Sequence, residues 1–353
     1  MATEYFCVSN RDYEEDKRGI KATIKKKLPD SFVQIIKHMK RGHELKYYYK
    51  EQYRRFLSQA ALPSNEGERQ LEALLQYHAH EIEKGLSHND FRPGFGRRAI
   101  SCLADCLRRW NAHGYTWNNF GVCEALSVLK QYKKKHADLD EPLPDFFHEM
   151  LGIFEDRIDS ADLDESGVAL FENHRIAPNR TYSQVLNDRV SLRNYSDKPV
   201  DEQLLLEAGH LAMRAPSVCN RQSARLYVIT NKDILEKAMD IQAGMYGYNK
   251  PPALLVVTAR ISSFVDVTER NEPYVDGGLY SMALLGALEE AGLAACPLNT
   301  MFEDRREQGI RHVLDLPDDE VLIMFIAVGN RPEKTLHPKS LRRPPEDIIT
   351  CIK

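Results

Sequence analysis

The segment DRVSLRNYSDKPV at positions 188–200 sets Arg189, Ser191 and Arg193 two residues apart, with Val190 and Leu192 between them. In an extended chain side chains alternate between faces, so this spacing brings two guanidinium forks and a hydroxyl to one side. Two planar donors around a hydroxyl form a cradle for phosphate. Alone, the pattern also occurs on ordinary surfaces. Downstream, APSVCNRQ (215–222) offers Ser217, Asn220 and Gln222 beside Pro216, polar groups that either read the edge of a heterocycle or close a turn. GLAACPLN (292–299) ends an apolar helix in Gly292 and Pro297, and KSLRRPPEDII (339–349) sets Arg342 and Arg343 before Pro344. Each of these has a plain structural reading as a helix exit or a solvated basic tail.

Taken in order, the four pieces resemble the nitroreductase family: an Arg–x–Ser–x–Arg opening, a Pro–Ser–x–x–Asn–x–Gln loop, an apolar central helix followed by a Pro-containing turn, and a late basic–Pro motif. The resemblance covers residues ~180–353 and implies an FMN-dependent oxidoreductase. Arg189, Val190, Ser191 and Arg342 would lie at the FMN phosphate, and Arg193 toward the pyrimidine edge of the flavin. Pro216, Ser217, Asn220 and Gln222 would reach the flavin from the other subunit of a homodimer. Pro297 and Leu298 would lie against the ring, with the backbone N–H of Asn299 or Thr300 at flavin N5 and no catalytic side chain. NAD(P)H would be the co-substrate, and a nitroaromatic, quinone or enone-like small molecule the electron acceptor. A more specialised flavin oxidase or dehydrogenase, or a binding module acting through basic N-terminal helices, are the competing readings.

The sequence departs from the family pattern in three places. Ser223–Ala224 stand where an aromatic residue usually follows the Asn–x–Gln element. The polar residue that meets the ring before the second strand has no clear match in QAGMYGYNKPPALLVV, where Gln242, Tyr246 and Asn249 are candidates. Ser340 replaces a second phosphate-binding lysine, leaving Lys339 or Arg343 to substitute.

Positioning these residues requires strands and helices, and the patterning supplies them. Leu226–Thr230, Ala253–Ala259 and Val321–Val328 are short apolar runs that predict buried strands. Val200–Arg214, Gly277–Ala291 and Glu303–Leu314 predict helices. LYSMALLGALEEAGLA is apolar on nearly every side, which predicts a central helix or one at a subunit interface. The predicted class is α+β, a layered domain with a central sheet flanked by helices.

The first ~150 residues differ in texture. From Asp30 the segment to Pro63 carries apolar residues at helical spacing, with a break expected near Gly42, and Asn65–Lys84, Arg97–His113 and Asn119–His136 repeat the pattern. This predicts a helical N-terminal region over 1–160, joined through an acidic, Gly- and Pro-bearing stretch to the 180–353 domain. Since every matched motif follows residue 188, the N-terminal region is expected to be dispensable for flavin binding. Residues 17–55 hold 13 Lys/Arg against 3 Asp/Glu, whereas 161–353 hold 22 against 28. The basic excess is local, either a solvated helix face or an attraction for anions.

With 42% hydrophobic and 28% charged residues, the chain has the balance of a folded globular protein rather than a disordered one. No apolar run of membrane-spanning length and no secretory leader pattern occurs, which predicts a cytoplasmic protein, and nothing predicts a nucleic-acid partner. The seven cysteines lack paired spacing, so reduced thiols are expected. His78 and His80 point about 200° apart on a helix and cannot share one ion, so no metal site is expected.

Overall fold

A computed structural model describes residues 29–62, 64–173 and 179–352. The chain divides into two compact units, Met1–Ser58 and Gln59–Lys353. Cys7 and the basic residues before position 29 lie outside the described residues.

In the first unit the helix α1 (Asp30–Gln59) runs unbroken through Gly42. One glycine costs a helix only ~1 kcal/mol, and spaced ion pairs such as Lys40–Glu44 and Arg54–Glu51 run along the helix.

The second unit begins with a helical layer, α2 (Glu68–Leu86), α3 (Arg97–Ala112), α4 (Phe120–Asp138), α5 (Asp145–Leu151) and α6 (Glu155–Ser160). Asn119 caps α4, accepting from the N–H groups of Gly121 and Val122. These helices close over their own core, which includes Leu71, Leu75, Ile100, Leu107, Trp110, Tyr132 and Phe147.

After β1 (Val168–Glu172) come α7 (Tyr182–Asp188), α8 (Glu202–Ala212), β2 (Ala224–Ile229), α9 (Lys232–Gln242), β3 (Ala253–Arg260), α10 (Glu272–Glu290), β4 (Leu293–Leu298), α11 (Asp304–Leu314), β5 (Glu320–Asn330), β6 (Lys334–Pro338) and α12 (Pro345–Ile348). The class is α+β. The main sheet is antiparallel in the order β2-β3-β5-β4, and β1 pairs with β6 in a separate ribbon. One sheet face packs on α8 and α10 through Leu205, Leu255, Tyr280 and Leu284. The other packs on α9 and α11 through Leu235, Val256, Cys296 and Ile310.

The segment at 292–299, expected as a helix exit and turn, is a strand. Pro297 is tolerated in β4 because β4 pairs through its length on one side only, with β5. Two short elements absent from the sequence reading, α7 and α9, are fixed by the side-chain caps Thr181 and Asn231.

Arg180 ties the start of α7 to the end of α10. It donates to the Glu289 carboxylate at 3.0 Å and to the Glu289 carbonyl at 2.6 Å, and Arg331 pairs with the same carboxylate at 2.6 Å. All three side chains are buried. A carboxylate shared by two guanidinium groups satisfies the requirement that buried charge be paired, and it fixes the chain just ahead of Arg189.

Candidate functional site

Beyond α7 the chain runs beside β4. Ser191 forms a parallel bridge with Ala295, and the Leu192 N–H donates to the Ala295 carbonyl at 3.2 Å. Leu192 is buried in this extended stretch, so Arg189, Ser191 and Arg193 share the opposite side. The following turn is pinned to β5. The Ser196 N–H donates to the Asn330 carbonyl at 3.0 Å, and the Asn330 side chain donates to the Pro199 carbonyl at 2.8 Å. Gly329 makes this possible, since a Cβ there would lie 2.5 Å from the Tyr195 ring.

The electrostatics of this edge are one-sided. Arg189 Nη1 and Arg193 Nε and Nη1 are buried without a hydrogen-bond partner. Burial, and then the positive charge of Arg342, pull the Arg189 pKa below its ordinary value. Unpaired buried guanidinium groups are costly, and a ligand rich in anionic acceptors satisfies them. Of the basic residues after β6, Arg342 keeps only a donation to the Ser340 carbonyl of its own loop. Lys339 and Arg343, the two candidate substitutes for a second phosphate lysine, are both engaged by other partners. Lys339 Nζ is drawn to the Leu163 carbonyl at 3.1 Å and to Asp164 at 3.3 Å, while Arg343 donates to Glu72 at 2.8 Å and Gln76 at 2.6 Å.

At the far end of β4, Pro297 and Leu298 lead into Asn299, whose carbonyl accepts from Gln242 Nε2 at 3.1 Å. Gln242 Oε1 in turn accepts from the Gly244 N–H, and Arg306 donates to the carbonyls of Ile241 and Gln242. Gln242 is therefore a buried clip that sets the 297–300 turn. Tyr246 and Asn249 are exposed, and of the three candidates from the sequence Gln242 is the one bonded to the end of β4.

The 215–222 loop is built against α10. The Val218 N–H and Ser223 Oγ donate to the two carboxylate oxygens of Asp276 at 3.1 and 3.0 Å, and Arg221 pairs with Glu269 through two bonds of 3.0 and 2.7 Å. Ser217 Oγ accepts from the Gln222 N–H at 3.0 Å. Cys219, Asn220 and Gln222 take φ of 49°, 52° and 50°, a sparsely populated region for residues with a Cβ that concentrates at binding loops. A cavity of about 450 Å³ opens here, lined by Met213, Pro216, Ser217, Gln222, Arg225 and Asp276. This loop enters β2, whereas Arg189–Arg193 lies outside β4. Four strand spacings of ~4.8 Å separate the two by about 19 Å across the sheet alone, and the registers add to this by placing Ala224 and Ala295 toward opposite ends of the strands. The structure gathers Arg189, Ser191, Arg193, Pro297 and Arg342 around one edge and leaves Pro216, Ser217, Asn220 and Gln222 at the other.

Residues 186–260 match the sequence profile of the nitroreductase family. The chain carries a nitroreductase-family domain. A protein of Methanothermobacter thermautotrophicus named "Putative NADH dehydrogenase/NAD(P)H nitroreductase" is 25% identical over 150 residues, 41% of this chain and 75% of that protein. Among solved structures, a nitroreductase family protein of Clostridium difficile 630 is 24% identical with a TM-score of 0.41, covering 48% of this chain and 98% of its own. An FMN-dependent nitroreductase of Clostridium difficile R20291 is 21% identical with a TM-score of 0.37, covering 42% and 87%.

Among the described residues no group of three or more His, Cys, Asp or Glu side chains could hold a metal ion. His78 pairs with Glu81 at 2.8 Å and His80 with Glu83 at 3.1 Å, each with its own carboxylate. The six described cysteines are free. No described helix is long and apolar enough to cross a membrane.

Beside Arg342 a smaller cavity of about 210 Å³ is lined by Gln76, His80, Glu83, Glu124 and Ser166. Glu124 accepts from Gln76 Nε2 at 2.9 Å. Burial pushes its carboxyl up to about 7; the Gln76 bond opposes this and the Glu83 charge adds to it. A folded-state pKa above the ordinary 4.5 means the folded protein holds a proton that the unfolded chain has released. Stability is then greatest below 4.5 for this group and falls as pH rises to about 7. Glu124→Gln is expected to flatten the fall in Tm across that window and to raise Tm above it, as thermal melts at stepped pH will read. An unchanged pH slope would show that Glu124 titrates normally.

Proposed function

We propose that the protein is an FMN-dependent NAD(P)H oxidoreductase acting as a homodimer. The observation that carries this is the pair of buried, unpartnered guanidinium groups of Arg189 and Arg193 beside β4 in a nitroreductase-family domain. Arg189, Ser191 and Arg342 hold the phosphate, with Val190 in the same stretch. Arg193 sets a fixed cation at the pyrimidine edge, where it favours the electron-rich form of the ring over the oxidised one. Pro297 and Leu298 give the ring an apolar floor. Gln242, by holding the Asn299 carbonyl, orients the backbone of Asn299 and Thr300 toward N5. When bound, FMN supplies an N5 position that accepts hydride from a nicotinamide and returns it to an oxidised acceptor, a nitroaromatic, quinone or enone-like molecule. The name of the Methanothermobacter relative supports the nicotinamide co-substrate.

Two features of one copy support the dimer. The Pro216–Gln222 loop is separated from Arg189 by about 19 Å across the sheet alone and lies toward the opposite strand ends, too far to share one flavin with it unless the loop comes from a partner. Helix α10, buried on one side against the sheet, keeps Val275, Leu279 and Met282 exposed on the other.

The test is an FMN titration of the purified full-length chain, followed by NAD(P)H consumption with a panel of acceptors. Saturable FMN binding with acceptor-dependent turnover is expected. A chain that binds no FMN at micromolar concentration overturns the proposal; flavin reduction without turnover on any acceptor class would favour a specialised oxidase or dehydrogenase.

A further inference from the structure

The helical layer reaches the cationic edge from the other side. The last turn of α2 is tied to the stretch between α9 and β3, where the sequence shows no ring-contacting residue. The Tyr248 hydroxyl donates to the Lys84 carbonyl at 2.7 Å and lies 2.7 Å from Ser87 Oγ. The His88 ring stacks on Tyr248 with centroids 3.9 Å apart. Gly247 permits this approach; it has φ 83°, and a Cβ there would lie 2.7 Å from His88 Cε1. Asn89 accepts at 3.2 Å from Asn194, the residue following Arg193, and Asn194 also donates to Thr335 at 2.8 Å. One tie thus holds the end of α2 to the Tyr248 stretch, and a second joins Asn89, just beyond α2, to the residue that follows Arg193.

These ties bring the last turn of α2, which carries Lys84, alongside the segment that carries Arg193. Lys84 is half-buried, and burial first, then the Arg193 charge, lower its pKa. The buried Cys296 thiol of β4 feels both cations, with Arg193 acting on it more strongly than Lys84. Among the described residues no carboxylate pairs with the Lys84 ammonium, and Arg193 Nε and Nη1 are unpartnered. Glu81 acts on Lys84 in the opposite sense, but more weakly than Arg193, and two like charges held in one neighbourhood destabilise the protein unless an anionic group is shared.

We infer that Lys84, a residue of the helical layer, is a flavin-binding residue whose ammonium joins Arg193 at the pyrimidine edge. The inference rests on the flavin reading above. It makes the helical layer part of the redox site rather than an appendage.

A second cation at that edge stabilises the reduced ring more than the oxidised one. Lys84→Met, close in length but neutral, is expected to weaken the affinity for reduced FMN about tenfold more than that for oxidised FMN. For a two-electron couple this lowers the potential by about 30 mV. Lys84→Arg keeps the charge and is expected to recover most of the shift. The readouts are a spectroscopic redox titration and an FMN titration of the full-length variants, with circular dichroism to verify folding. An unchanged potential in Lys84→Met overturns the inference, as does an equal loss in the Met and Arg variants, which would assign Lys84 to packing. Both outcomes differ from failure of the flavin reading itself, in which the unsubstituted chain already binds no FMN.

Discussion

Replacing Arg189 and Arg342 together by alanine is expected to leave a folded protein that loses nearly all of its FMN at micromolar concentration. Each charge-assisted contact to a phosphate contributes about 1.5–3 kcal/mol, so the pair accounts for about two to four decades of affinity. The fold should withstand the change. Arg189 Nη1 has no partner to lose, and Arg342 is exposed and bonded only to the Ser340 carbonyl. Removing either cation also relieves the repulsion that contributes to the lowered Arg189 pKa. Fluorescence titration with FMN, paired with a thermal melt, is the measurement. A double variant with unchanged Tm and unchanged FMN affinity would remove the phosphate from this edge of the sheet.

The Arg–x–Ser–x–Arg stretch was legible in the sequence because an extended segment has only two faces, and alternation with buried Leu192 decides which residues share one. The strands β2, β3 and β5 were legible for a similar reason, as apolar runs packed on both faces, fully in β3 and only partly in the edge strand β2. Strand β4 was not, since its two alanines, cysteine and proline carry weak strand preference and its place comes from pairing with β5. The two candidate substitutes for a phosphate lysine could not be sorted by sequence. Lys339 and Arg343 are equally basic, and only the positions of Asp164 and Glu72 show that both are engaged elsewhere. Lys84 lay further from view, because its neighbours Arg193 and Tyr248 follow more than a hundred residues later and no local pattern links them. The same long-range contacts revise the expectation that the N-terminal region is dispensable. Deleting residues 1–160 would strip Glu72 and Gln76 from Arg343 and the end of α2 from Tyr248 and Asn194.

Leu279→Glu combined with Met282→Glu is expected to convert a dimer into monomers and, with the same two substitutions, to abolish flavin retention. Val275, Leu279 and Met282 follow one another at intervals of four and three residues, which places them on one face of α10, and they are 50%, 43% and 42% exposed in a single copy. The opposite face is buried against the sheet through Tyr280, Leu284 and Leu288. A helix that is apolar on both sides needs a second partner for the outer one. Two carboxylates introduced there leave the inner packing untouched, so each chain should keep its fold, while burying them at a subunit contact would cost several kcal/mol apiece. Flavin retention should fall with dimerisation because the Pro216–Gln222 loop, separated from Arg189 in its own copy by four strand spacings or about 19 Å across the sheet alone, then has no neighbouring Arg189 edge to complete. Sedimentation velocity gives the oligomeric state and the flavin-to-protein absorbance ratio gives the occupancy. A variant that stays dimeric places the subunit contact elsewhere, and a monomer that keeps its flavin shows that one chain builds the whole site.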